Sequence, residues 1–282
     1  MEQHSEEVRI EHMQPGQLDA LIDAQNEIFE DYIIRIRSSK QFFLDFVSSV
    51  GGDLRNVLLA LDGSRVVGYV NPVADGREGW IGGIGILREY RGQGIGTRLM
   101  NEAERELGAE GVREVSLEVI DGNTRAEKLY RHLGYQPTRK YLSAEGIPSK
   151  YQGFGTEPKP ATLSEVLPIH SRCYADTCWQ RRKTEAVVQS SKGSETFKVD
   201  GGFVMVRAID TSGFIPFLGV EPEKRRRGIG TSLAKFALSR LHDMGAFKTA
   251  LYNVNEDEAT LRMLDMFDFK VTMKQTEMRK VL

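Results

Sequence analysis

Cysteine is nearly absent. Cys173 and Cys178 are the only thiols among 282 residues. That spacing is neither a disulfide framework nor a zinc-ligand pattern, and both read as small buried hydrophobes in a reduced compartment. Histidine is sparse too. His4, His12, His132, His170 and His242 are scattered, with no pair at metal-ligand spacing, so no metal is expected. Neither sign of charge dominates: 38 basic side chains face 40 acidic ones, for a net charge of −2. Such a surface does not attract a polyanion, and nucleic acid is disfavoured as a partner. No apolar run approaches the roughly 18 residues that cross a bilayer, so no membrane partner is expected. The stretch Met1 to His12 is polar and acidic, without the apolar core of a secretory signal. A cytoplasmic protein is the expectation.

What the chain does have is the composition of a globular protein. Apolar residues make up 40%, supplemented by 28 glycines, which excludes disorder and collagen-like order. At about 150 residues per domain, the length predicts roughly two domains.

The second domain is written in the sequence as a repeat. Arg91-Gly92-Gln93-Gly94-Ile95-Gly96-Thr97-Arg98-Leu99 recurs as Arg225-Arg226-Arg227-Gly228-Ile229-Gly230-Thr231-Ser232-Leu233, an offset of 134. The same offset carries Leu107 onto Leu241, Gly111 onto Gly245, Leu117 onto Leu251 and Tyr135 onto Phe269. Agreement at one fixed offset with no insertion predicts two similar domains, residues 1–145 and 146–282. The boundary is expected within the Gly-, Pro-, Ser- and Lys-rich stretch Ser143 to Pro160.

Periodicity predicts the elements of the first half. Strands are expected at Val8–Glu11, Val57–Leu61, Val66–Val70, Trp80–Leu87, Val112–Ile120 and Arg139–Ser143. Helices are expected at Gln17–Glu30, Lys40–Val50, Thr97–Leu107 and Thr124–Leu133. Asp62-Gly63 reads as a hairpin turn. The order is α+β with a mixed sheet, not a regular βαβ series.

The repeated glycine loop lies between a strand and a helix. A helix start leaves about four backbone N–H groups without partners and carries roughly half a positive charge. Glycines let a ligand approach that backbone closely. The spacing is not that of a dinucleotide fingerprint, and no Lys-Ser/Thr pair makes it a P-loop. By itself the loop is either an anion site or a plain glycine-bearing helix entry.

Its surroundings are more specific. Arg88-Glu89-Tyr90-Arg91-Gly92-Gln93-Gly94-Ile95-Gly96, then a helix, then Ser116-Leu117-Glu118-Val119, then Asn123-x-x-Ala126-x-x-Leu129-Tyr130-x-x-x-Gly134-Tyr135, strongly resembles the GNAT superfamily of acetyl-CoA-dependent N-acyltransferases. The first half matches over about residues 55 to 143. The second matches in its loop and helix and poorly beyond, so the chain resembles a tandem GNAT protein. The resemblance implies two domains, each with a splayed mixed sheet flanked by helices. It implies that pantetheine pairs with the backbone of Ile84, Gly85 and Ile86, and that the pyrophosphate sits on Gln93, Gly94, Ile95, Gly96 and Thr97. Arg91 would add a positive contact and Asn123 would lie near the pantetheine arm. In the second loop the corresponding contacts fall on Arg225, Arg227, Gly228, Gly230 and Thr231.

Acyl transfer from a thioester to an amine needs a neutral amine, a stabilised oxyanion and a proton for the departing thiolate. Tyr130 stands where this family places the phenolic acid; read from the helix alone, it is a core tyrosine beside Leu129 and Leu133. Glu118 corresponds to the strand glutamate assigned as base in related ribosomal-protein N-terminal acetyltransferases; read from the strand alone, it is a solvated side chain. In the second half the offset replaces Glu118 by Tyr252, Tyr130 by Leu264, Asn123 by Asp257 and Gly134 by Asp268. Lys224 to Arg227 gives four consecutive positive charges there, part of a phosphate loop or a solvated basic patch. The expectation is one catalytic domain and one degenerate domain, in a monomer or homodimer. The acceptor would be a small-molecule or peptide amine, met by the region around Phe29 to Phe46, where Tyr32, Arg35 and Arg37 are candidates. The alternative from another class is an acyl-CoA-binding or sensing protein without turnover.

Overall fold

A computed structural model of the chain describes residues 7–34 and 37–282. Arg35 and the first six residues of the polar amino-terminal stretch lie outside the described residues. The chain forms two compact units. Residues 1–138 and 276–282 make the first, and residues 139–275 make the second.

The first unit holds β1 (Arg9–His12), α1 (Leu18–Ile28), α2 (Lys40–Ser49), β2 (Leu58–Asp62), β3 (Arg65–Asp75), β4 (Glu78–Ile86), α3 (Ile95–Ala109), β5 (Glu114–Ile120) and α4 (Thr124–His132). Its strands run in the order β1-β2-β3-β4-β5. All neighbours are antiparallel except β4 and β5. The Asp62-Gly63 signal is the β2–β3 turn, with Gly63 at φ +58°. Helix α1 buries Leu21, Ile22, Gln25 and Ile28, the face its spacing predicts. Ser39 caps α2 by accepting from Phe42 N at 3.1 Å. Helix α3 lies on one face of the sheet, where a Cβ on Gly79 of β4 would meet Leu107. Helix α1 lies on the other, where a Cβ on Gly85 would meet Ile28 at 2.6 Å.

The second unit takes most of β6 (Gln136–Gly146), then β7 (Lys159–Pro160), α5 (Leu163–Cys173), α6 (Trp179–Arg182), α7 (Thr184–Ser191), β8 (Glu195–Val199), β9 (Gly202–Ile209), β10 (Ser212–Val220), α8 (Ile229–Asp243), β11 (Lys248–Asn255) and α9 (Glu258–Met266). Its strand order is β6-β11-β10-β9-β8-β7. One core, under α8, contains Leu233, Ala237, Leu238 and Leu241. A second lies against α5 and α7 and contains Val166, Val187, Phe203 and Phe217. The last strand, β12 (Lys270–Val281), is divided between the units after Gln275.

The division therefore differs from a single cut at 145/146. Residues 139–146 belong to the second unit, where Tyr141 to Gly146 pair antiparallel with β11. Residues 276–282 return to the first, where Met278 is fully buried in the core. There Arg279 binds Glu114 at 2.8 Å and Lys280 binds Glu104 at 2.5 Å. Leu282 N donates to Arg113 O. The break after residue 138 thus precedes the Ser143 to Pro160 stretch, all of which lies in the second unit, because composition does not reveal which sheet a flanking strand joins.

Candidate active site

The site begins where two strands part. Strands β4 and β5 pair in parallel only at Glu78, Gly79 and Trp80 against Glu114, Val115 and Ser116. Beyond that, β4 continues to Ile86 and β5 to Ile120. A β-bulge explains the divergence. Val70 pairs with Ile84 and Pro72 with Ile81, so Gly82 and Gly83 of β4 oppose Asn71 alone. Two residues against one increase the local twist and swing the strand away. Glycine is required there, since a Cβ on Gly82 would sit 2.5 Å from the Trp80 ring. Ile84, Gly85 and Ile86 thus lie past the last paired residue, on a strand whose outer backbone lacks a neighbouring strand on that side.

Below the wedge lies the glycine loop. Gly92 and Gly94 have φ of +80° and +78°. No atom lies within 4 Å of a Cβ built on either, so it is backbone conformation rather than crowding that demands glycine. Gly94 is the N-cap of α3, and Arg98 N is the first amide to reach a carbonyl of the helix, Gly94 O at 3.0 Å. The amides of Ile95, Gly96 and Thr97 have no intrahelical acceptor and present an anion site. Gln93 turns its side chain back to Glu89 O at 3.0 Å.

Arg91 behaves differently from the expected phosphate ligand. Its Nε donates to Ile86 O at 2.9 Å, its Nη2 to Ile28 O at 3.1 Å, and both terminal nitrogens hold Asp31 at 3.0 and 3.1 Å. That guanidinium keeps the Asp31 carboxyl below its ordinary pKa, burial opposing. Arg91 is a latch between the end of α1 and the end of β4. In the second unit Arg225 makes the matching bond to Val220 O at 3.1 Å. The repeated first arginine thus has a structural duty in both copies. Arg88 and Arg125 join Asp31, Arg91 and Gly92 around a cleft of about 430 Å³ at the loop.

The chemistry-bearing side chains converge at the wedge. Tyr130 on α4 is 6% exposed, its ring 6.1 Å from that of Tyr135. Burial raises its pKa, with smaller contributions from Tyr32, Tyr69 and Glu118, so the phenol keeps its proton across neutral pH. Glu118 on β5 is half-buried, and its Oε2 accepts from Trp80 Nε1 at 2.8 Å. Trp80 stands at the last paired register of β4 and β5, so the indole fixes the carboxylate at the apex. Asn123 is committed twice. Its Oδ1 caps α4 by accepting from Ala126 N at 3.2 Å, and its Nδ2 donates to the Tyr32 hydroxyl at 3.2 Å. Burial raises the Tyr32 pKa and the Asn123 bond lowers it. Of the acceptor-region candidates, Tyr32 reaches the site and Arg37 is exposed. The glycine pair inside β4 is the one local sign of the bulge; the roles of Trp80 and Arg125 have no motif, and Arg88 stands at the head of the loop motif without a role assigned to it there.

The second unit builds the same frame. β10 and β11 pair only from Ser212 to Phe214 against Lys248 to Ala250. Gly228 is at φ +80° and caps α8. Arg226, standing where the first copy has Gly92, adopts φ +64°, a conformation that disfavours a side chain. Gly230 and Thr231 lie in the first turn of α8, as Gly96 and Thr97 do in α3.

The opening of this second wedge is bridged by the chain itself. The Tyr174 hydroxyl donates to Leu218 O at 2.8 Å and accepts from Leu218 N at 3.1 Å. Leu218 is the counterpart of Ile84 at the repeat offset. Arg181 donates to Tyr252 O at 2.8 Å and to the Tyr174 hydroxyl at 3.2 Å. Thr177 donates to Asn255 Oδ1 at 2.8 Å, and Gln180 accepts from Asn253. The segment 174–181 thereby ties β10 to β11 where they diverge.

Two α+β domains, each with a splayed mixed sheet and a glycine loop opening a helix, define the class: the tandem GNAT fold. Residues 18–135 match the model of the acetyltransferase (GNAT) family. A GCN5-related N-acetyltransferase from Sphaerobacter thermophilus superposes with a TM-score of 0.72 at 15% identity, over 97% of this chain and 95% of that one. A tandem GNAT protein from the clavulanic acid biosynthesis pathway does so with a TM-score of 0.70 at 13% identity, over 98% of each. The GCN5-related glucosamine N-acetyltransferase region of a fungal multi-domain β-N-acetylglucosaminidase gives 0.75 at 15% identity, over 97% of this chain and 38% of that one. At these identities the likeness is one of fold. Among the described residues, no helix is long and apolar enough to cross a membrane and no cluster of His, Cys, Asp and Glu could hold a metal.

Proposed function

We propose that the first domain transfers an acetyl group from acetyl-CoA to a primary amine by direct attack in a ternary complex. The reading rests on one observation: a stretch of β4 that has lost its neighbour on the β5 side, above a glycine-opened helix, with Glu118 and Tyr130 at the junction. Acetyl-CoA fits this frame. The amides of Gln93 to Thr97 suit its diphosphate, Arg88 and Arg125 add positive charge at the cleft, and the backbone of Ile84 to Ile86 suits its amide-bearing arm. As substrate, acetyl-CoA supplies the activated acyl group.

The residues divide the work. Glu118, held by Trp80, takes the proton of the attacking amine. A β4 backbone amide at the bulge stabilises the oxyanion. Carbon–nitrogen bond formation is followed by carbon–sulfur cleavage, and the Tyr130 hydroxyl protonates the departing thiolate. A phenol, near pKa 10 when unperturbed, is available as O–H to a thiol whose own value is near 8.5; burial strengthens that retention.

The second domain is read as degenerate. It lacks counterparts of Glu118 and Tyr130, and the bonds of Tyr174 to Leu218 use the backbone groups that the first wedge leaves for a ligand. One acyl-CoA site per chain follows, and a protein active as a monomer or a homodimer in the cytoplasm. Calorimetric titration with acetyl-CoA, combined with a free-thiol assay over a panel of amines, tests this. A stoichiometry of one with amine-dependent thiol release is expected. Binding with background thiol release would support an acyl-CoA sensor, and two equal sites would overturn the degenerate assignment.

A further inference from the structure

Beneath the β4 bulge, on the face covered by α1 and α2, three neutral polar side chains are buried with hydrogen-bonding capacity left over. Tyr69 is 2% exposed, and its hydroxyl accepts from Gln25 Nε2 at 2.9 Å. Gln25 is 7% exposed, and its Oε1 has no hydrogen-bond partner. Asn71 is 1% exposed, and neither its Oδ1 nor its Nδ2 has one. The face on which Asn71 lies follows from its neighbours along β3. Tyr69 contacts Gln25 of α1, while Val73 lies beside Gly52 and Val47 at the end of α2. Alternation puts Asn71 between them on the same side. Gly82 and Gly83 lie opposite it across the bulge, and a Cβ on Gly83 would sit 3.3 Å from the Tyr69 hydroxyl.

Buried polar groups are almost always hydrogen-bonded, because desolvating them without a partner is strongly unfavourable. Two carboxamides in this condition, directly under the strand residues that meet the acyl group, point to a ligand. We propose that Gln25 and Asn71 form the acceptor subsite and that it takes a primary amine bearing a hydroxyl or carbonyl oxygen on the adjacent carbon, an N–C–C–O unit. A neutral primary amine has two N–H donors and one lone pair. Gln25 Oε1 and Asn71 Oδ1 accept the two N–H groups of the incoming amine, which leaves the lone pair for the acyl carbon; as the carbon–nitrogen bond forms, one of these protons passes to Glu118 and the other stays on the product amide. Asn71 Nδ2 then donates to the neighbouring oxygen. A cradle of neutral groups disfavours an ammonium ion and selects the amine in its reactive form. The α-amino end of a peptide and a 2-amino sugar both contain this unit.

The inference rests on the acyl-transfer reading of the wedge, and the test separates the two. Thiol release from acetyl-CoA is measured with a tetra-alanine amide, with glucosamine and with n-butylamine. At least one of the first two is expected to exceed butylamine by tenfold or more in kcat/KM, and which one does so identifies the source of the unit. Asn71→Leu and Gln25→Met are expected to lower kcat/KM for that probe at least tenfold. The acetyl-CoA dissociation constant stays unchanged and the Asn71→Leu midpoint of thermal unfolding does not fall, because an apolar isostere removes an unpartnered group. Equal use of butylamine overturns the proposal. So does an Asn71→Leu protein with unchanged kcat/KM, or one whose midpoint falls by several degrees, which would make the amide a structural partner. Acetyl-CoA binding without thiol release from either N–C–C–O probe overturns the subsite and leaves the wedge standing. Failure of the wild-type protein to bind acetyl-CoA overturns the wedge and the subsite with it.

Discussion

At the scale of single residues, the candidate site is a matter of which proton sits where. Tyr130 is kept in its O–H form by burial. Because its pKa is raised from an ordinary value of 10.0, it does not titrate within the usual assay range. Tyr130→Phe is therefore expected to lower the whole pH–rate profile by about 100-fold or more, the scale of general acid catalysis, without moving either limb and without changing acetyl-CoA affinity. Steady-state kinetics across pH and a binding titration check this. Trp80→Phe asks a different question. The indole N–H donates to Glu118 and holds the carboxylate in place. Removing it frees the side chain to turn away from the apex, so kcat/KM is expected to fall about tenfold in Trp80→Phe, with acetyl-CoA affinity unchanged, and further in Glu118→Gln. An unchanged kcat/KM in Trp80→Phe would mean that the indole only fills space. Tyr130 and Glu118 were legible because each stands in a motif. Trp80 was not, because its partner lies 38 positions away along the chain and strand periodicity reports faces, not partners.

At the scale of elements, the same loop–helix unit is built twice, with different fates for the wedge above it. The glycine loop was legible because left-handed backbone restricts residue choice, and Gly94 shows the cost of ignoring that. A side chain there meets open space, so Gly94→Ala carries only the backbone penalty of about 1–2 kcal/mol. The expected outcome is a matching loss of stability in denaturant unfolding, with weaker acetyl-CoA binding from a displaced helix start. The bridge across the second wedge was invisible in the sequence, since Tyr174 reaches Leu218 across 44 positions and Arg181 reaches Tyr252 across 71. It also carries a pH signature. His170 is 1% exposed, and its Nε2 donates to Arg181 O at 2.8 Å. Burial lowers its pKa below 6.5. The unfolded chain thus binds this proton first as pH falls, so the stabilisation is complete above about pH 6.5 and is lost on acidification. Thermal midpoints measured between pH 7.5 and pH 5 should fall further for the wild type than for His170→Gln. Parallel decline in both proteins would remove His170 as the cause.

At the scale of the whole molecule, the repeat predicts two domains but not how the chain supplies them. A fixed offset aligns Tyr135 with Phe269 and invites a cut after residue 145, yet the strands that follow these aromatics are exchanged between units. Nothing in the composition of residues 136–146 or 270–281 marks this, because alternation along a strand reports its faces and not its neighbours. The consequence is that the end of the chain is part of the candidate catalytic domain. Met278 is fully buried, worth about 1.5–3 kcal/mol. Lys280 neutralises Glu104, whose side chain is only 9% exposed, and an unpaired buried charge costs about 3–5 kcal/mol. Against a typical domain stability of about 5–15 kcal/mol, losing both is severe. Deleting residues 276–282 should therefore unfold or strongly destabilise the first unit, although the deleted segment is more than 130 residues from the rest of that unit in the chain. Acetyl-CoA binding should be lost, and calorimetry should show the first unit's transition lowered or absent. Residues 1–145 expressed alone should fail in the same way. Lys280→Met isolates the charge contribution, since it keeps the strand and its apolar stem and leaves Glu104 without its partner. It should destabilise the first unit by less than the deletion does. A deletion protein that melts like the full chain and still binds acetyl-CoA would show that the carboxyl-terminal strand is dispensable to the domain it completes.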